Sequence, residues 1–147
     1  MKTVILKNLA ELNKFAAGFA AKLRGGEIVG LIGDLGSGKT AFVKAVAAAL
    51  GARRAVRSPT FILMQLIAVG PAFKKKTGIG RICHVDAYRL KNDEELRGIG
   101  FYDFAGRPDV ITFVEWADLV PGLKLSPGYR ELRFSFSGPS ERLVLLP

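Results

Sequence analysis

Sulfur and imidazole are scarce in this chain: one cysteine, one histidine and two methionines. The single cysteine, Cys83, excludes an internal disulfide, and the single histidine, His84, excludes a metal centre built from several imidazoles. No apolar run approaches the roughly 20 residues that a membrane-spanning helix needs. After Met1-Lys2 the apolar stretch is broken at Lys7-Asn8, so no secretory leader is expected. Internal repeats and low-complexity tails are also missing. These absences together predict a cytosolic protein with no membrane role. Acidic residues are short as well: 13 against 22 Lys and Arg, a net charge of +9. Such a bias suits nucleic acid, an acidic partner or simple solubility. No arginine-rich tail or nucleic-acid motif accompanies it to choose among them.

What the chain does have is enough apolar residue to fold. At 147 residues and 49% hydrophobic, it suits one domain over residues 1–147 with one core. Its most informative stretch is Gly33-Asp34-Leu35-Gly36-Ser37-Gly38-Lys39-Thr40, which satisfies the phosphate-loop pattern G-x-x-x-x-G-K-[S/T]. Glu27 to Ile32 before it reads as a short buried strand. Ala41 to Leu50 after it reads as a helix, with Phe42, Val43, Val46, Ala49 and Leu50 on one face and Gly51 as the stop. Glycines let a phosphate chain approach backbone N–H groups closely, and a helix N-terminus favours negative charge. Lys39 is placed to reach phosphates, and the Thr40 hydroxyl to bind Mg²⁺.

Around this unit, Thr3–Leu6 is a predicted strand. Asn8 caps a helix with Glu11 as capping-box partner; Leu12, Phe15, Ala16, Phe19, Ala20 and Leu23 form its buried face, and Gly25-Gly26 ends it. Phe61–Val69 is strand-like. Gly70–Gly80, with Lys74-Lys75-Lys76, reads as a surface hairpin tip or mobile loop. Arg81–Asp86 and Val110–Trp116 are strands, Asn92–Leu96 a brief capped helix, and Tyr129–Phe136 with Arg142–Leu146 a terminal hairpin. Helices cluster early and strands late, which predicts an α/β fold: a phosphate-loop NTPase-like domain with a mixed central sheet flanked by helices.

Two carboxylates end apolar strands, Asp86 and Glu115. A phosphate-loop enzyme needs one to hold the metal and another group to position the attacking water. The residues alone do not say which does which. Ser58-Pro59-Thr60 sits where a loop covers a γ-phosphate, or is an ordinary turn before a strand. His84 shares a strand face with Asp86, and either contacts the site or is a hydrogen-bonded strand-end residue. Trp116, the lone tryptophan, is a packing anchor or a partner contact, core packing being the more usual role.

Taken together, the phosphate loop, Ser58-Pro59-Thr60-Phe61, His84-Val85-Asp86-Ala87-Tyr88-Arg89-Leu90 and Val114-Glu115-Trp116 resemble the TsaE (YjeE) family in order and spacing. The resemblance implies a Mg²⁺-dependent ATPase that works with the TsaD and TsaB proteins to make threonylcarbamoyladenosine at adenosine 37 of tRNA, with tRNA met through that complex. By motif position it implies that Asp86 and Lys39 are the catalytic pair, and that Thr40 and Glu115 bind Mg²⁺. ATP would then be held by Gly33, Asp34, Leu35, Gly36, Ser37, Gly38, Lys39, Thr40 and Ala41. Ser58, Thr60, Trp116 and Arg142 complete the nucleotide contacts, and Ser58–Phe61 is switch-like. No residue is an obvious arginine finger; Arg89, Arg142 and a partner protein are the candidate sources. The chain departs from the family at Ala41, where a second hydroxyl is common, and around Leu12 or Asn13, where a threonine near the adenine is common. The Gly70–Gly80 segment with its lysines is longer than the family leads one to expect.

Two other readings compete with the accessory ATPase. A small-molecule or nucleotide kinase needs a lid and an acceptor pocket, for which this chain leaves little room. A non-hydrolysing nucleotide-holding or RNA-binding module has no need of two strand-end carboxylates.

Overall fold

The computed structural model describes residues 1–54, 56 and 63–147. Its elements are β1 Lys2–Leu6, α1 Leu9–Ala20, β2 Ile28–Ile32, α2 Lys39–Ala49, β3 Met64–Ala68, α3 Pro71–Thr77, β4 Arg81–Asp86, α4 Asp93–Gly98, β5 Val110–Glu115, β6 Tyr129–Phe136 and β7 Arg142–Leu146. The strands form one seven-stranded mixed sheet in the order β1-β7-β6-β2-β5-β4-β3. The middle four, β6, β2, β5 and β4, run parallel, and antiparallel pairs close both edges. The predicted α/β architecture with a mixed sheet and a β6–β7 hairpin is what forms.

Strands buried on both faces read as continuous apolar runs. In β5, Val110 to Glu115 is buried throughout. One face packs on α1 and α2 through Phe42, whose ring meets Phe15, Phe19, Phe113 and Phe134 at centroid separations of 5.3–6.2 Å. On the other face Leu96 of α4 and the turn residues Phe101, Val120 and Leu123 cover Cys83, Val85 and Val114. No helix among the described residues is long and apolar enough to cross a membrane.

Asn8 caps α1 as expected, its Oδ1 accepting the Glu11 N–H at 2.9 Å. The Glu11 carboxylate reaches back one residue further than a capping box requires, to the Lys7 N–H at 2.7 Å. Asn92, Glu95 and Lys91 repeat that arrangement at α4. Four expectations need correction. Helix α1 ends at Ala20, before Gly25-Gly26, because i→i+3 bonds at Lys22 and Leu23 tighten the chain out of the helix. On α2 the buried alanine is Ala47, and Ala49 is exposed. In the described part of Phe61–Val69, β3 spans Met64–Ala68, since Leu63 has φ +64°, incompatible with a strand; Phe61 and Ile62 lie outside the described residues. The Gly70–Gly80 segment is helical: Pro71 takes the first-turn position, where its missing N–H costs nothing, and Gly78 ends the helix at φ +77°. Lys74, Lys75 and Lys76 are exposed on that helix.

Candidate functional site

The site gathers at the carboxyl ends of the central parallel strands, where ligands of open α/β sheets sit. Strand β2 delivers Gly33, β4 ends on Asp86, and β5 ends on Glu115. Register fixes their neighbourhood: Glu115 lies opposite Leu31 of β2 on one side and Asp86 of β4 on the other. Helix α2 begins at Lys39, so its free N–H groups open toward the same place.

Glycine is structurally required at two loop positions. A Cβ on Gly33 would come within 2.4 Å of the Phe134 carbonyl oxygen and 2.7 Å of Ser37 Oγ, and Gly38 has φ +108° as the N-cap of α2. The Ser37 hydroxyl is buried, with no hydrogen-bond partner among the described residues. A glycine cradle with an orphaned hydroxyl at a helix N-terminus fits an anion such as a phosphate.

Five polar side chains converge beside the cradle. The Thr40 hydroxyl donates to the Glu115 carboxylate, with Oε1 at 2.8 Å and Oε2 at 3.0 Å. His84 Nε2 meets Glu115 Oε1 at 2.7 Å. Lys39 Nζ donates to the carbonyls of Gly33 and Asp34, the latter at 2.9 Å, and stands 4.3 Å from the Trp116 ring centroid. Burial pushes the Lys39 ammonium below the usual lysine value, while Glu115, Asp86 and Asp34 pull the other way. Asp86 is buried, and its Oδ1 accepts the Tyr88 N–H at 2.9 Å. One hydroxyl and two carboxylates are hard oxygen donors, the set that suits Mg²⁺. No group of three or more His, Cys, Asp or Glu side chains able to hold a metal occurs among the described residues. A cation held by one or two carboxylates plus ligand phosphates needs no such cage.

The segment Gly36–Gly38 is a wall between two cavities. One, of about 250 Å³, is lined by Leu35, Lys39, Thr40, Asp86, Glu115 and Trp116. The other, of about 230 Å³, lies between α1 and the β6–β7 hairpin, lined by Leu6, Asn8, Leu9, Leu12, Phe134, Ser140 and Arg142, with Ala41 bordering both. Most residues predicted for the site therefore come together: Gly33 to Ala41, Asp86, Glu115 and Trp116. Arg142 lines the second cavity, away from the carboxylates, with its guanidinium 4.5 Å from the Phe136 ring centroid. Ser58 and Thr60, and the switch-like segment to Phe61, lie outside the described residues.

Trp116 packs against the core cluster of Cys83, Val85 and Val114 and also lines the first cavity. It is half-buried at φ +58°, a left-handed conformation that turns the chain out of β5 and brings its ring to Tyr88 at 5.0 Å and over Lys39. Of the second cavity, sequence reasoning named Gly36, Ser37, Gly38, Ala41, Arg142 and the position of Leu12, and missed the rest. Leu6 and Phe134 read as ordinary strand residues; the register of β6 on β2 brings Phe134 to the loop, and the pairing of β1 with β7 sets Leu6 opposite Arg142. No local signal marks them.

Fold and site define the class: this is an α/β protein of the phosphate-loop type. Comparison with known proteins narrows it. The family model for the threonylcarbamoyl adenosine biosynthesis protein TsaE matches residues 6–143. The tRNA threonylcarbamoyladenosine biosynthesis protein TsaE of Aquifex aeolicus is 37% identical over 120 residues, covering 80% of this chain and 78% of that protein. Its namesake in Bacillus subtilis is 34% identical over 119 residues, 81% of this chain and 66% of that one. The crystal structure of Bacillus subtilis YdiB superposes with a TM-score of 0.66 at 26% identity, covering 97% of this chain and 82% of that one. The chain belongs to the TsaE family, and its role lies in threonylcarbamoyladenosine biosynthesis.

Proposed function

We propose that this chain is a Mg²⁺-dependent ATPase of tRNA N6-threonylcarbamoyladenosine biosynthesis, working in the cytoplasm with TsaD and TsaB on adenosine 37, as one domain over residues 1–147. The observation that carries this reading is the Thr40–Glu115 hydrogen bond beside the loop lysine. It brings a hydroxyl and a carboxylate from separate elements to one point at the mouth of a phosphate cradle.

In this reading the loop from Gly33 to Thr40 receives the phosphates through its N–H groups. Lys39 exchanges the Gly33 and Asp34 carbonyls for phosphate oxygens, a trade of neutral acceptors for charged ones. Thr40 and Glu115 hold Mg²⁺, which when bound neutralises charge on the phosphates. Asp86 orients the attacking water and accepts its proton, and Trp116 shields Lys39 from solvent. The second cavity takes the base. Its wall of Leu6, Leu9, Leu12 and Phe134 offers an apolar face to a heterocycle, and Ser140 and Arg142 supply the polar rim. Ser58 and Thr60 belong to the segment that senses the γ-phosphate.

The test is ATP hydrolysis with and without TsaD, TsaB and tRNA, in wild type and Asp86→Ala. Hydrolysis stimulated by the partners in wild type alone supports the reading. Hydrolysis indifferent to the partners, or phosphate passed to a small acceptor, overturns it in favour of a kinase.

A further inference from the structure

We propose that His84 is a positioning residue: it pins the Glu115 carboxylate in the orientation that receives a divalent cation beside Thr40. The inference rests on the nucleotide and cation reading above, and assigns a task to a side chain which that reading leaves idle.

His84 lies in β4 with no solvent exposure, in register with Gln65 on β3 and Phe113 on β5. A fully buried imidazole is costly unless its polar atoms are paired. Its Nδ1 has no hydrogen-bond partner among the described residues, and its Nε2 has one, Glu115 Oε1 at 2.7 Å. A carboxylate only accepts, so Nε2 is the atom that carries the proton. The Thr40 hydroxyl has a single hydrogen and stands almost equally far from both Glu115 oxygens, so it does not distinguish them. The His84 bond does: it claims Oε1. It is also the one anchor of Glu115, among the described side chains, that is outside the cation's own donor set. Outer hydrogen bonds of this kind orient a ligating carboxylate, and their loss costs about 10–100-fold in metal affinity.

The experiment is Mn²⁺ titration of the full chain saturated with ADP, read by electron paramagnetic resonance, alongside ADP affinity in EDTA. Three variants are compared. His84→Leu removes the donor. His84→Asn keeps a polar group but is too short to reach Glu115. His84→Gln carries an amide N–H about as far as the imidazole Nε2. Leu and Asn should weaken Mn²⁺ by roughly 10–100-fold, Gln should stay within about threefold, and ADP affinity in EDTA should be the same in all. If the leucine variant does not fold, asparagine carries the comparison. Wild-type Mn²⁺ affinity in both Leu and Asn, or a loss in Gln as large as theirs, overturns the proposal. A wild-type protein that binds ADP but adds nothing to the nucleotide's own Mn²⁺ affinity overturns the cation reading itself, and this proposal with it.

Discussion

Replacing Asp86 by Asn isolates the chemistry of the carboxylate from its place in the fold. Asn keeps an oxygen where Asp86 Oδ1 accepts the Tyr88 N–H, so the turn out of β4 stays closed. It removes one charge from a group that includes Glu115, its register partner, and that acts on Lys39. Two consequences follow with opposite signs. Losing a positioned proton acceptor costs a reaction about 10²–10⁴-fold, which is about 2.7–5.4 kcal/mol at 1.36 kcal/mol per decade. Removing a negative charge from a phosphate site leaves nucleotide binding equal or tighter. Single-turnover hydrolysis with partners present, together with nucleotide titration of the same preparation, reads both. A rate within about tenfold of wild type would refute the role of Asp86. A parallel collapse of binding and rate would show that the residue holds the fold rather than the water.

Lys39→Met keeps the buried length of the side chain and removes the ammonium, so nucleotide affinity should fall steeply in titration calorimetry while the melting curve barely moves. Phe42→Ala empties the centre of the five-ring cluster and should cost about 3–5 kcal/mol in denaturant unfolding, as phenylalanine truncations in cores do. Burial pushes the Cys83 thiol up to about 12. A thiol reagent at pH 8 should therefore leave native protein unlabelled and label the unfolded chain once. Because the thiol's value is raised in the fold, stability is full at neutral pH and falls as pH climbs above the ordinary thiol value of roughly 8.5 toward 12.

Much of the site was legible because its signals are local. The phosphate loop is a contiguous motif whose glycines, lysine and threonine answer to one geometry, and the strand–turn–helix around it is read from periodicity. Asp86 and Glu115 stood out because each closes an apolar run. Which of them meets Thr40 did not, since that is decided by the order of β2, β5 and β4 in the sheet. The same order makes His84 a partner of Glu115, although alternation along β4 pointed only toward Asp86. The lysine run misled: charge and glycine argued for a loop, but lysine is a good helix former, and Pro71 and Gly78 are the residues that start and stop a helix. For Trp116 the sequence leaves packing anchor and partner contact both open; the left-handed backbone that turns its ring toward Lys39 is invisible in composition.

The second cavity joins residues 6–12 and residues 134–142 to the phosphate loop itself, three stretches far apart in the chain. A nascent polypeptide thus carries a phosphate loop long before it owns a complete pocket beside it. The lining of that pocket closes only when β1 and β7 find each other, a pairing with a high entropic cost of loop closure and correspondingly slow to form. Ligand capture that uses both cavities therefore depends on β7 being in place as much as on the phosphate loop.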